Sequence, residues 1–159
     1  MAWAVVAAVP AALLAVHLSH QLPPLTAESV NSIVVAGSDQ SNTIDLNGVT
    51  DVPLAPDHVR GLTALRSRVV TVIDSRAALG VGRSEEIGRA VITPVLDHHY
   101  AIMVEALEDV TPFAANALTN GITLDNIWAH VGRGFVERDG EPILIIDAAR
   151  LIEGLEMAE

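Results

Sequence analysis

The sequence predicts a mainly β domain in which short helices interrupt a series of roughly nine or ten strands. Half of the 159 residues are apolar but only 3% are aromatic, so Val, Ile, Leu and Ala must form most of the core. Several apolar runs are rich in β-branched residues and are bounded by turn residues, which is typical of buried strands. A chain of this length forms one folding unit or two small subdomains that share a core. Short strands with few helices favour two small barrels over a doubly wound sheet.

Charge and cysteine content exclude several classes of function. All nine basic residues are arginines, and with 20 carboxylates the formal net charge is −11. Such a surface repels nucleic acid and anionic lipid, so we expect neither as a partner. The absence of cysteine excludes disulfides, thiolate zinc sites and thiol nucleophiles. It is also compatible with a cytoplasmic location.

The N-terminal segment is unusually apolar, since residues 2–18 contain no Asp, Glu, Lys or Arg. A signal peptide has basic residues before its apolar run, and a membrane span needs about 20 apolar residues, more than this run provides. We therefore interpret residues 1–20 as an apolar leader or first strand. The expected strand covers residues 11–18 and follows a dispensable leader. A membrane anchor is the alternative.

Apolar runs and turn residues define the following elements. Pro23-Pro24 interrupts the chain, because proline cannot donate a ladder hydrogen bond. The β-branched run at residues 69–73 predicts a central strand, and Asp139-Gly140 suits a tight hairpin turn. Other strands are predicted at residues 29–35, 61–65, 89–96, 100–107, 122–131, 135–137 and 143–146, with a helical patch at 113–118.

Two segments share the order strand, aspartate, short helix and glycine. The first comprises the strand 69–73, Asp74, a helix over 75–79 and Gly80; the second comprises the strand 143–146, Asp147, a helix over 148–152 and Gly154. Each aspartate can accept the free amides of the helix that follows it. The repeat predicts two similar subdomains, which we place at residues 26–80 and 86–147 of a domain over 21–159, with a C-terminal helix at 148–157.

No motif points to catalysis or metal binding. His98 and His99 are neighbours on a predicted hairpin, and adjacent strand residues point to opposite faces, so they do not chelate one ion. An acid–base pair of Asp74 and Asp147 across a symmetric cleft is the alternative interpretation, but helix capping explains both residues with fewer assumptions. Arg66 lies between two apolar strands, where it either braces a loop or contacts a partner.

Residues 52–80, V-P-L-A-P-D-H-V-R-G-L-T-A-L-R-S-R-V-V-T-V-I-D-S-R-A-A-L-G, resemble the CheW family of bacterial chemotaxis adaptors. That family has a proline-rich approach, a G-[LV]-x-x-L-R-G segment, an apolar strand that ends in P-[VI]-[VI]-D-L-R, and a short helix. Residues 101–110 resemble its G-x-x-V-D-x-V-x-x-V strand, and residues 142–151 its closing strand and helix. The resemblance extends from about residue 26 to the C-terminus.

The chain also departs from the family pattern. Ser32 replaces a glutamate that often pairs with the arginine matched by Arg66, Ser67 replaces the glycine after that arginine, and Ala64 replaces a frequent asparagine. An apparent insertion lies between Val35 and Thr50. These differences bear on partner affinity more than on fold.

The resemblance implies two intertwined five-stranded SH3-like barrels with short helices, no catalytic activity and no cofactor or metal. It implies an adaptor that links a CheA-type histidine kinase to methyl-accepting chemoreceptors, in the cytoplasm at membrane-associated receptor arrays and without inserting into the membrane itself. The groove between the barrels would take the receptor tip, and an exposed barrel end would pair with the kinase's regulatory domain. The residues implied in partner binding are Arg66, Gly61, Val30, Ile33, Val104 and Leu107. For the four apolar residues, packing in the core is the competing interpretation.

Two functions from other classes compete with the adaptor. One is a membrane-tethered or exported β-barrel binding module that uses residues 2–18 as its anchor. The other is a hydrolase that uses Asp74 or Asp147, which requires one of these carboxylates to lie in a cleft.

Overall fold

The computed structural model describes residues 2–8, 32–36, 42–113, 116–118, 124, 126–138 and 141–157. The strands are β1 (Ala2–Ala8), β2 (Ser32–Ala36), β3 (Asn42–Asp45), β4 (Val59–Leu65), β5 (Arg68–Asp74), β6 (Arg89–Val95), β7 (His98–Val104), β8 (Ala106–Phe113), β9 (Gly132–Arg138) and β10 (Glu141–Asp147). The helices are α1 (Ser75–Ala78), α2 (Asn126–Val131) and α3 (Ala148–Glu156). The predicted mainly β fold with short helices is confirmed.

The described strands form two five-stranded sheets. The first has the order β3-β6-β7-β5-β4 and the second the order β8-β1-β2-β10-β9. Each contains one parallel pair, β5 with β7 and β10 with β2. The second sheet therefore takes two of its middle strands from the N-terminal end of the chain and the other three from the C-terminal half.

The predicted repeat is present in this topology. In the first sheet, the hairpin β4–β5 leads into α1 and β5 pairs with β7; in the second, the hairpin β9–β10 leads into α3 and β10 pairs with β2. The N-terminal strands β1 and β2 thus occupy the places that β6 and β7 hold in the first sheet. β6 and β7, which follow residue 86, also belong to the first sheet. The subdomain bounds at residues 26–80 and 86–147 stay a prediction.

The N-terminal strand differs from the expected one. β1 pairs with β2 on one side and with β8 on the other, so residues 2–8 are part of the sheet rather than a dispensable leader. The strand expected at residues 11–18 lies outside the described residues. A fragment that begins at residue 20 would lack β1.

Three predicted elements differ from the structure. The strand expected at 100–107 is divided at Glu105, because β7 ends in the first sheet and β8 begins in the second. Residues expected in a strand at 122–131 contain α2, in which Trp128 and Val131 are three positions apart and both buried. The helical patch at 113–118 is absent from its described residues: Phe113 ends β8 and Asn116 forms a β-bridge.

Two buried clusters form the core of the described residues. One fills the first sheet and includes Val70, Val72 and Ile92. The other lies between the two sheets, where Ile102 of β7 packs in one cluster with residues of β10, α2 and α3 such as Ile146. The hydroxyl of Tyr100 on β7 donates a hydrogen bond to Glu156 of α3 at 2.7 Å, which joins the first sheet to the C-terminal helix.

Candidate functional site

Two concave surfaces of similar size lie at opposite ends of β7. We call the first the tip hollow; its volume is about 430 Å³, and its lining is Thr43, Ile44, Leu65, Arg66, Ser67, Arg68, Val70, Ile92 and His99. We call the second the crossover groove; its volume is about 440 Å³, and its lining is Arg76, Arg83, Ser84, Glu85, Glu86, Gly88, Val104 and Glu105. His99 and Val104 are five residues apart on one strand, which places the two surfaces about 16 Å apart along it.

The register of the first sheet builds the tip hollow. β5 and β7 run parallel with Thr71 opposite Tyr100, so the turns that precede these strands lie at the same end of the sheet. One is the two-residue turn after Leu65 in the hairpin β4–β5, and the other is the turn after Val95 in the hairpin β6–β7. The hollow opens beside the first of these turns.

Arg66 is the first residue of that β4–β5 turn and has a positive φ of 56°. Its side chain is exposed and lines the tip hollow. It forms no ion pair with the residues that the structure describes. Among the described residues, no hydrogen bond or ion pair of Arg66 braces the loop, and its partner-binding role stays a prediction.

The tip hollow combines an apolar floor with a basic rim. Its floor includes Ile92 and Val70, which belong to the buried cluster of the first sheet, so the hollow is an open end of that core. Its rim carries Arg66, Arg68 and His99, and no Asp or Glu is among the lining residues. On a chain with a net charge of −11, this end of the sheet is a local site for an acidic surface.

Gly61 packs closely against the backbone of Thr50. It is buried, it has φ of 148°, and a Cβ there would lie 2.4 Å from the carbonyl oxygen of Thr50. Thr50 and Leu62 exchange two backbone hydrogen bonds of 2.8 Å at this place, which explains the close approach. The glycine required at this position is therefore explained by the fold.

The crossover groove lies where the chain leaves the first sheet for the second. Val104, the last residue of β7, contributes a mostly buried side chain with 6% exposure. Glu105 follows it and accepts a hydrogen bond from the Arg76 guanidinium at 3.1 Å. Arg83, Glu85 and Glu86 stand exposed along the lining. The groove is thus more polar than the tip hollow.

Asp74 fixes the loop that lines the crossover groove. Its side chain is fully buried and accepts hydrogen bonds from the amides of Arg76 and Ala77, at 3.0 and 3.3 Å, as the N-cap of α1. It also accepts the amide and the hydroxyl of Ser84, both at 2.9 Å. The carboxylate is committed to four donors and lines neither cavity, which removes the basis for a hydrolase that uses it.

Asp147 is the equivalent residue of the repeat and also caps a helix. It accepts the amides of Ala149 and Arg150 at 3.0 and 3.2 Å and forms an ion pair with Arg133 at 3.4 Å. It lines neither cavity. The two aspartates therefore share the capping role that the sequence predicts.

The predicted partner-binding residues do not form one site. Arg66 lines the tip hollow and Val104 the crossover groove. Ile33 on β2 and Leu107 on β8 are both register partners of Ala7, so they flank β1 in the second sheet. Val30 lies outside the described residues. A partner-binding role for these residues stays a prediction.

Sequence reasoning missed Leu96 and the pair formed by Arg76 and Glu105. Leu96 begins the β6–β7 turn with its side chain 84% exposed, one residue before the turn that the sequence analysis expected. An apolar residue just before Asp97 reads as the end of a buried strand, which hid it. Arg76 and Glu105 are 29 residues apart, and no local signal links them.

Within the described part of the chain, no three His, Cys, Asp or Glu side chains come together as a metal site. These described residues also contain no helix that is long and apolar enough to cross a membrane.

Comparison with known proteins decides the family. A sequence model described as the CheW-like domain matches residues 41–156. The chain belongs to the CheW-like family. The scaffolding protein TtCheW from Thermoanaerobacter tengcongensis has a similar fold, with a TM-score of 0.64, 19% sequence identity, and coverage of 96% of this chain and 94% of that chain. A search of curated proteins found no match.

The family assignment confirms the predicted resemblance and the coarse function. CheW-like domains are non-catalytic scaffolds of chemotaxis signalling, so this chain is a protein-binding adaptor and not an enzyme. The family model begins at residue 41 and so does not include β1 and β2, which the second sheet nevertheless contains.

Proposed function

We propose that this chain links a CheA-type histidine kinase to chemoreceptors at cytoplasmic receptor arrays. The observation that carries the proposal is the placement of two separate docking surfaces at opposite ends of β7, because an adaptor must hold two partners at once. The tip hollow and the crossover groove are about 16 Å apart along β7, which leaves room for a different protein at each end.

The tip hollow is assigned to the kinase's regulatory domain. An open barrel end with an apolar floor can continue its core into that of a second β domain, and this burial supplies most of the affinity. Arg66 and Arg68 at the rim add orientation and faster association.

The crossover groove is assigned to the receptor tip. Val104 offers an apolar contact at the end of β7, and the flanking Arg83, Glu85 and Glu86 can pair with charges on a helical hairpin. The ion pair between Arg76 and Glu105 and the bonds from Ser84 to Asp74 hold this surface in one shape.

The competing membrane-tethered module receives no support from residues 2–8. These residues are β1 and pair on both sides with other strands, so they are not available as an anchor in this fold.

The test measures binding of the full chain to two probes from the same genome, the kinase's regulatory domain and a receptor cytoplasmic fragment. Arg66→Ala should weaken kinase binding about tenfold or more and leave receptor binding unchanged. Glu86→Arg should weaken receptor binding and leave kinase binding unchanged. Arg89→Ala is the matched control, because Arg89 is an exposed arginine of the same sheet that lines neither cavity.

A folded wild-type chain that binds neither probe would refute the adaptor proposal. Equal losses for Arg66→Ala and Arg89→Ala would refute the assignment of the tip hollow, because they would indicate a general effect of charge.

A further inference from the structure

We propose that Leu96 is an apolar anchor beside the tip hollow, and that it inserts into an apolar pocket of the partner whose border carries carboxylates. This inference rests on the proposed function and names the chemistry that the tip hollow requires of its partner. Three observations carry it: the backbone conformation of Leu96, its position, and the charge around it.

The backbone conformation of Leu96 is energetically unfavourable for a leucine. Among the described residues, Leu54, Arg66 and Leu96 are those other than glycine with positive φ, and Leu96 has φ of 52°. The left-handed region crowds a Cβ, and Asn or Gly avoids this at a turn. Leu96 is 84% exposed, so burial within this chain does not offset the strain. Leu54 shares both features, so the position of Leu96 and the charge around it distinguish it as a contact residue.

The turns that contain Leu96 and Arg66 are neighbours in the fold, although the two residues are 30 positions apart in sequence. The turns that contain them precede the adjacent parallel strands β7 and β5 at one end of the first sheet. Val70, which lines the hollow, is part of the buried cluster of this sheet. An exposed leucine and an open end of the core thus lie at the same end of the sheet, which is typical of an interface anchor and its surroundings.

The charge at this end defines the partner. Arg66 and Arg68 border the hollow, and the turn at Leu96 adds one carboxylate, Asp97. With a net charge of −11, the rest of the chain repels an acidic partner, so such a partner is steered to this end. A basic partner would instead be attracted to the acidic remainder of the chain.

The test replaces Leu96 by asparagine in the full chain and measures both stability and affinity for the kinase's regulatory domain. Asparagine tolerates the left-handed conformation, so Leu96→Asn should raise Tm by about 2–4 °C while it weakens binding about tenfold or more. If Leu96 had only a structural role, the substitution would not raise Tm and lower the affinity at the same time.

Leu54→Asn is the matched control. Leu54 is fully exposed and has φ of 63°, but its turn precedes β4, at the far end of that strand from Arg66. It should give a similar gain in Tm with no loss of binding. Raising the salt concentration should weaken wild-type binding, and Arg68→Glu should reduce this salt dependence.

Each contrary result has a distinct meaning. If the wild type binds and Leu96→Asn binds equally well, the inference is wrong while the adaptor proposal stands. If Leu96→Asn lowers Tm, or if both asparagine variants lose binding equally, Leu96 has only a structural role. If the folded wild type does not bind the kinase domain or the receptor fragment, the adaptor proposal and this inference both fail.

Discussion

Replacement of Asp74 by alanine should destabilise the protein by about 3 kcal/mol, because four hydrogen bonds to a buried carboxylate are lost at once. Loss of an N-cap costs about 1 kcal/mol. The amide and hydroxyl of Ser84, which is itself buried, would in addition lose their acceptor, and an unsatisfied buried donor costs about 1–3 kcal/mol. We take about 2 kcal/mol for Ser84, since its hydroxyl can rotate toward another acceptor.

The repeat supplies the control within the same chain. Asp147 caps α3 with two similar hydrogen bonds, but the structure gives it no counterpart of Ser84 among the described residues. Its ion pairs with Arg133 at 3.4 Å and Arg150 at 3.9 Å involve exposed guanidinium groups and together contribute about 0–0.5 kcal/mol. Asp147→Ala should therefore cost about 1–1.5 kcal/mol, and the difference of about 2 kcal/mol from Asp74→Ala isolates the Ser84 contribution.

Urea unfolding of both variants, followed by circular dichroism, measures this difference. We expect unchanged m-values, a lower midpoint for both variants, and a Tm about 4–8 °C lower for Asp74→Ala than for Asp147→Ala. Ser84→Ala alone should lower Tm by most of the difference between the two aspartate variants. Equal destabilisation by the two aspartate variants would refute the reasoning, because it would mean that Ser84 adds nothing to a simple helix cap.

Three further predictions concern the rest of the fold. Gly61→Ala should destabilise by about 3 kcal/mol, since its Cβ would displace Thr50 and the two hydrogen bonds at that bridge; a urea midpoint equal to that of the wild type would contradict this. Burial, followed by the hydrogen bond to Glu156, raises the pKa of Tyr100 to about 12. The folded pKa exceeds that of an unfolded tyrosine, so this contribution to stability is complete below pH 10 and is lost as pH rises from about 10 to 12. Because the chain has a single tyrosine, near-ultraviolet titration reports this group alone, and Glu156→Gln should lower the midpoint. Deletion of residues 1–8 should abolish the second sheet, and a fragment that retains native circular dichroism would show that β1 is dispensable.

Local signals in the sequence were sufficient to predict the repeat. A β-branched strand, an aspartate and a short helix each depend on neighbouring residues, and both caps are present at Asp74 and Asp147. Strand β5 matches its prediction closely for the same reason. The fold class follows from such elements together with the low aromatic content.

The assignment of strands to sheets depends on distant residues and was not predicted. Glu105 separates two strands of different sheets, yet the residues around it form one apolar run in the sequence. β1 is paired by strands that begin at residues 32 and 106, and no neighbouring residue indicates either partner. Alternation and propensity describe a strand, whereas its neighbours are set by packing across the whole chain.

The candidate site likewise contains one residue that local sequence signals indicate and one that they do not. Arg66 was predicted because a charged residue between two apolar strands is unusual in the sequence itself. Leu96 was not, because a leucine at the end of an apolar run is ordinary until its φ of 52° and its exposure are known. The loss of a family glycine at Ser67 and the backbone strain at Arg66 belong to one turn, so the departure from the family pattern coincides with the surface assigned to the kinase.

The position of both surfaces on β7 bears on how the adaptor works. Ala101, Ile102 and Met103, which lie between the two ends of this strand, are buried, and β7 is paired on both sides by β5 and β6. Such a strand is among the last parts of a domain to open, so the spacing of about 16 Å between the surfaces is fixed. Ile102 also belongs to the cluster shared with the second sheet, which ties this spacing to the integrity of both sheets. In the proposed function, a partner at one end would find the other surface already in position, so fixed geometry rather than a hinge would connect the two partners.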